Sequence, residues 1–328
     1  VKLPTSFVPA EDQGMLMDSI QLPDNASLSR TNEFGEKYRQ ILARDPSVSD
    51  VFTIGGLDFI GGGNKSNAGA MFVKLKPWDE RETSAMDLAG KFMGIGMGQT
   101  EGRAMVFNPP AIMGLGSTGG FEFFLENRDD GDPKALSDAM NNLIAALQKD
   151  PRMASVSSFY RAGVPQLYVD VDEQKAIALG VAIPDVYATL QGVFSTIYVN
   201  DFNKSGKTYR VQLQADQQYR DDPDDIRSLY VRNTQGDLIP MASFVDVSFK
   251  NGPEMIQRYN GYVATKISGS AATGISSGDA IKAVDEVASK VLPDGYVIEW
   301  TGQAYQEQAG GSTTYLAFGF AVLMVFLI

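Results

Sequence analysis

Neither cysteine nor histidine occurs in this sequence. Without cysteine there is no disulfide and no thiolate nucleophile, an absence that fits an oxidising compartment as well as a reducing one. Without histidine the commonest general base and the commonest metal ligand are missing, and with them every Ser-His-Asp or Cys-His arrangement. Positive charge is scarce: 28 Lys and Arg stand against 40 Asp and Glu, a net charge of −12. That balance argues against nucleic acid, which needs basic patches, and against charge-driven docking on anionic lipid. No secretory signal is visible at the start, where Val1 to Pro9 reads as a stiff lead-in. Long apolar runs are lacking too, save one. From Leu316 to Ile328 no charged residue occurs, a stretch of roughly 20 Å as a helix, where a bilayer core needs about 30 Å. It has no polar stripe and reads as the start of a membrane helix over 311–328. The whole then reads as an internal excerpt of a longer membrane protein. A C-terminal core helix is the plainer alternative.

What is present supports real cores. Hydrophobic residues make up 44%, and 33 glycines with 15 prolines imply many turns. The length allows one to three domains. An internal repeat organises them. Leu42, Asp45-Pro46 and Val51 recur as Leu147, Asp150-Pro151 and Val156, each with a basic residue before the Asp-Pro. A helix-period stretch precedes each word, Leu28 to Leu42 and Pro133 to Leu147. Strand candidates flank both, and Asp-Pro ends each helix because proline disfavours helical geometry before it. A second strand-helix-strand unit follows in each copy, with helices expected at Glu82 to Met97 and Ser277 to Val291. The class is therefore α+β, two ferredoxin-like split βαβ units. The second copy is interrupted by an inserted α+β segment. The expected divisions are 1–115, then 116–164 with 253–310, the insertion 165–252, and 311–328. Within the insertion, Asn203, Lys204, Ser205, Gly206 and Lys207 read as the tip of a long β-hairpin.

Three segments stand out for chemistry. The link Gly55 to Asn67 carries five glycines with Leu57, Phe59 and Ile60. Lys65-Ser66 follows Asn64 rather than Gly, so this is no phosphate loop. It reads as a gate or adaptable wall, or as an ordinary long connection. Met17, Phe52, Phe59, Met71, Phe72, Met105 and Phe107 form a Met-Phe set suited to varied greasy ligands, or simply a core. Val106 to Gly116, with Pro109-Pro110, reads as the rim of a cleft or as a bare connector. The acids offer no pair for acid/base work. Asp221 to Asp225 reads as a helix start, and Asp170 and Asp172 lack the loop of a calcium site. Nothing indicates an enzyme, a cofactor or a metal.

Phe7 to Gly14, Gln21-Leu22-Pro23, Leu75 to Trp78, Asn108 to Ile112, Ala178 to Val181, Tyr198 to Phe202 and Arg258 to Gly261 carry a resemblance. They resemble the second large periplasmic loop of resistance-nodulation-division (RND) multidrug efflux transporters of the Acr/Mex class. The resemblance implies a proton-driven homotrimer of the Gram-negative inner membrane. It would work with a periplasmic adaptor protein and an outer-membrane channel to export hydrophobic and amphipathic drugs. The copies would be porter subdomains and the insertion a docking subdomain whose hairpin meets those partners. By position, Met17, Phe52, Ile54, Leu57, Phe59 and Phe72 match a deep drug pocket. Ser19, Met105, Phe107, Pro109, Leu115 and Ser157 match an entrance cleft. Gly55, Gly56, Phe59, Gly61, Gly62 and Gly63 match a switch loop. Gly114 stands where the family has an acid and Ser157 where it has a base, so a less charged cleft is expected, with Arg161 nearby as a compensating charge. The rival readings are a ligand-sensing ferredoxin-like domain and a scaffold domain of a related lipid or protein exporter.

Overall fold

The structure, a computed structural model, describes residues 8, 11–112 and 114–327, except for the side chains of 311–318 and 322. The lead-in expected over residues 1–9 lies, Val8 aside, outside the described residues. The chain separates into two compact units, Val1–Val164 with Pro253–Ile328, and Pro165–Gly252.

The first unit opens with β1 (Met15–Gln21), α1 (Leu28–Leu42), β2 (Val48–Leu57), β3 (Asn64–Leu75), α2 (Ala85–Met97) and β4 (Arg103–Phe107). Local chemistry sets the helix starts. Ser27 accepts from the Arg30 amide to begin α1, and Ser84 accepts from Asp87 to begin α2, each satisfying an otherwise unpaired helix donor. The four strands pair antiparallel in the order β2-β3-β1-β4. One sheet face packs on the helices through Leu16, Ile20, Phe34, Tyr38, Leu42, Met71, Val73, Leu88, Phe92 and Val106. Burial of each large side chain there contributes about 1.5–3 kcal/mol. Among the described residues, no helix packs on the other face.

The second copy begins with β5 (Phe121–Asn127), α3 (Pro133–Leu147) and β6 (Met153–Ser157). Asp132 caps α3 through the Lys134 and Ala135 amides, with Pro133 in the first turn, where its missing N–H costs nothing.

The Pro165–Gly252 unit is then threaded in. Its elements are β7 (Val164–Val171), α4 (Glu173–Ala178), α5 (Ile183–Phe194), β8 (Ile197–Lys204), β9 (Lys207–Leu213), β10 (Tyr230–Arg232), β11 (Leu238–Pro240) and β12 (Val245–Gly252). They form three two-stranded sheets, β7 with β12, β8 with β9 and β10 with β11. Ala176, Val181, Val186, Ile226, Val231, Met241 and Phe244 make a core of their own. The acids here are caps. Asp172 accepts from Lys175, and Asp222 with Asp225 forms a capping box on the 3-10 turn Pro223–Ser228. The hairpin tip is shorter than the sequence suggests. Asn203, Lys204 and Lys207 are strand residues, and only Ser205 and Gly206 turn, at φ of 53° and 74°. Positive φ at both central residues matches the strands' twist, which keeps the ladder intact to its end.

The first unit resumes with β13 (Gln257–Tyr259), β14 (Tyr262–Ala271), α6 (Ser277–Val291), β15 (Tyr296–Thr301) and α7 (Gly302–Leu327). The sheet runs β13-β14-β5-β15, with β6 also on β14. β13 pairs with the start of β14 and β6 with its end, so the two share the edge that β5 leaves free. Leaving β13 aside, the order β6-β14-β5-β15 repeats that of the first copy. Phe123, Leu125, Leu136, Leu143, Ile267, Ile281, Val284 and Trp300 fill the core beneath α3 and α6. The expected division at residue 311 is not a helix boundary, since α7 follows β15 directly and runs on through Gly310. No helix among the described residues is long and apolar enough to cross a membrane. Phe320, Leu323, Met324, Val325, Phe326 and Leu327 are all exposed.

Candidate functional site

Alternation along the strands sorts the first sheet's side chains by face. Leu16 and Ile20 of β1 point to the helices and are fully buried, so Met17 and Ser19 point the other way. Register then aligns their neighbours. Met17 lies opposite Phe72 on β3 and Phe107 on β4, and Phe72 lies opposite Phe52 on β2. The next rung runs Ile54, Ala70, Ser19, Met105. Seven expected site residues thus occupy two adjacent rungs of the helix-free face. Phe59 joins them from the hairpin tip, its ring 6.4 Å from that of Phe72. Leu57 ends β2 opposite Asn64. Phe52 is 63% exposed, Met17, Ile54, Leu57, Phe59 and Phe72 are half-buried, and Ser19 is buried.

The Gly55 to Asn67 link is not a long flexible loop. Gly55 and Gly56 belong to β2, Asn64 opens β3, and the tip is residues 58–63. Asp58 organises that tip. Its side chain accepts from the Gly61 amide at 2.7 Å, its amide donates to Gly63 O, and its carbonyl accepts from Gly62 N. Gly62 and Gly63 both sit at φ +87°, and a Cβ on Gly61 would lie 2.5 Å from Asp58 Oδ2. Glycine here serves a tight, bonded turn rather than looseness. Lys65 Nζ pairs with Asp58 Oδ2 at 2.8 Å and with Glu254 Oε2 at 3.2 Å. Burial alone would depress the Lys65 ammonium, but Asp58 and Glu254 overcome it and hold its pKa above the ordinary value.

The expected cleft residues are divided among several hollows. Met105 and Ser157 line a cleft of about 780 Å³ between the two sheet modules, together with Leu22, Arg103 and Arg161. Phe107 and Ser157 line a neighbouring one of about 260 Å³. Leu115 and Gly114 lie elsewhere, in a hollow of about 460 Å³ with Phe124, Tyr259 and Trp300. Pro109 is buried and, like Ser19, lines none of these. Arg161 is not a spare charge for the cleft, because it pairs with Asp24 and with Glu254. Sequence reasoning missed Asp58, Glu254 and Gln257 altogether. The only local signal was an acid and a lysine bracketing a glycine run.

The AcrB/AcrD/AcrF family model matches residues 1–328. The chain belongs to that family, the RND multidrug efflux transporters. It is 36% identical to the multidrug/solvent efflux pump membrane transporter MepB of Pseudomonas putida, over 99% of this chain and 31% of that protein. It is 36% identical to the multidrug export protein AcrF of Escherichia coli K12 and 34% to its multidrug resistance protein MdtF, each over 100% of this chain and 32% of the relative. The chain thus spans just under a third of the length of these efflux-family relatives.

Proposed function

We propose that this chain is the drug-binding and docking portion of a proton-driven RND multidrug efflux pump, facing the periplasm from a Gram-negative inner membrane. The observation that carries the reading is the rung Phe52, Phe72, Met17 and Phe107, with Phe59 beside Phe72 on a face that has no helix among the described residues. The two four-strand modules act as ferredoxin-like porter subdomains, and Pro165–Gly252 as the docking subdomain. Its β8–β9 hairpin meets the adaptor protein or the outer-membrane channel, and the pump assembles as a homotrimer. The end of α7 enters the bilayer, which accounts for its bare apolar side chains.

The mechanism follows from the surfaces. A greasy compound enters through the cleft at Met105 and Ser157 and passes the glycine hairpin. It is buried on the rungs, gaining about 25 cal/mol per Å² of apolar area, less ordering costs. Thioether and aromatic groups accept varied shapes without a fixed hydrogen-bond pattern. Rocking of the porter subdomains then expels it. With Ser157 in the cleft and Arg161 already paired, neutral and amphipathic compounds are favoured over strongly cationic ones.

The test is drug tolerance of cells carrying the complete transporter. Phe59→Ala and Phe72→Ala, at unchanged expression, should each lower tolerance to apolar drugs several-fold. Full tolerance in both variants would remove the binding role of this face.

A further inference from the structure

The hairpin tip is charged where it meets the second module. Glu254 is the middle member of an alternating row that links the tip to the second copy: Asp58, Lys65, Glu254, Arg161 and, back in the first copy, Asp24. Asp58 is 1% exposed, Lys65 13% and Glu254 20%. Glu254 shares one oxygen, Oε2, between Lys65 at 3.2 Å and Arg161 at 3.1 Å, and Arg161 also pairs with Asp24. Gln257 adds a neutral tie, donating to Gly61 O at 3.1 Å. The tip fits closely. Ile60 is only 6% exposed, and the hollow bounded by Ile60, Gly61, Lys65, Phe159 and Met255 measures about 30 Å³, room for a single water.

Such a row has two separable halves. The Lys65–Asp58 pair is internal to the hairpin and shapes the turn. The Lys65–Glu254 contact joins the hairpin to another part of the chain. Leaving either charge buried and alone is costly, so the tip has a defined seat rather than a spread of positions. We propose that Lys65 and Glu254 are positioning residues that latch the tip onto the second module and set how long it stays closed beside Phe59. This rests on reading the hairpin as the divider of the substrate path.

Glu254→Gln separates the halves, since it leaves the Lys65–Asp58 pair intact. In the complete transporter, hydrogen exchange at the Gly61 and Gly62 amides, both bonded to Asp58, should speed up about tenfold. Amides of β1 should not change, and Lys65→Arg, which keeps the charge, should stay near the parent. Unchanged tip exchange in Glu254→Gln overturns the latch. Should that variant disturb β1 as well, Glu254→Asp, too short to reach Lys65, supplies the same comparison with the same outcomes. Drug tolerance is read separately. Faster tip exchange with unaltered export keeps the latch and removes the divider reading instead.

Discussion

Asp18 is the residue least at home in its surroundings. It lies on the helix-facing side of β1, between Leu16 and Ile20, fully buried, with neither carboxyl oxygen hydrogen-bonded. Burial pushes its pKa well above the ordinary carboxyl value of 3.8. Burial, and after it the neighbouring Asp18, pushes up the pKa of the Tyr38 hydroxyl, which donates to Phe92 O. The folded chain therefore holds the Asp18 proton more tightly than the unfolded chain does. Its contribution to stability is whole below the ordinary carboxyl value and is lost as pH rises through the raised folded value. Asp18→Val removes the unpaired group and suits a strand. It should raise unfolding free energy at pH 7 by about 1–3 kcal/mol. The same substitution should flatten the decline of stability with rising pH in denaturant titrations. A variant that melts lower than the parent at pH 7 would show that Asp18 has a partner after all.

At the scale of elements, much was legible. The helices over Pro133–Leu147 and Ser277–Val291 occur as read, because apolar period, cap and breaker agree at both ends. α2 starts at Ala85 instead of Glu82, since Ser84 caps it while Arg81 turns back to bond Lys76 O. The glycines of the Gly55–Asn67 link suggest a loop, but the segment is mostly strand. Strand pairing overrode that preference and left a six-residue tip, residues 58–63. For the site, sequence supplied the residue types but not the rungs, which depend on register among four strands. The Lys65–Glu254 contact was invisible for the same reason: its partners are distant in the chain. A junction of this kind also fixes the start of the first module. Asp12 accepts from Arg81 at 2.5 Å, the Ala85 amide at 2.7 Å and the Gly14 amide at 3.0 Å. Burial alone would raise the Asp12 carboxyl, but these donors and the Trp78 indole hold it well below the usual range. Its contribution is therefore present above the ordinary carboxyl pKa and lost as pH falls through the depressed folded value. Asp12→Asn, which leaves the nearly buried Arg81 without its counter-charge, should cost about 2–3 kcal/mol at pH 7. Urea unfolding at pH 7 checks this, and a cost under half a kcal/mol would contradict it.

At the scale of the molecule, the two units keep separate cores. Where the chain leaves the second copy and returns, Glu254 N donates to Arg161 O at 3.1 Å and their side chains pair. Replacing Pro165–Gly252 by a short Gly-Ser link should leave the remaining unit folded, with β14 and β5 amides as protected as in the parent. Loss of that protection would show that the cores depend on each other. β6 and β13 sit end to end along one side of β14, so the chain departs from a sheet edge and rejoins it at the adjoining place. Loop-closure entropy grows slowly with length, and here the sheet itself supplies the closure. The edge thus offers two adjoining berths on one strand, which hold the departing and the returning chain next to each other, so the span to be bridged is set by the sheet and not by the insertion.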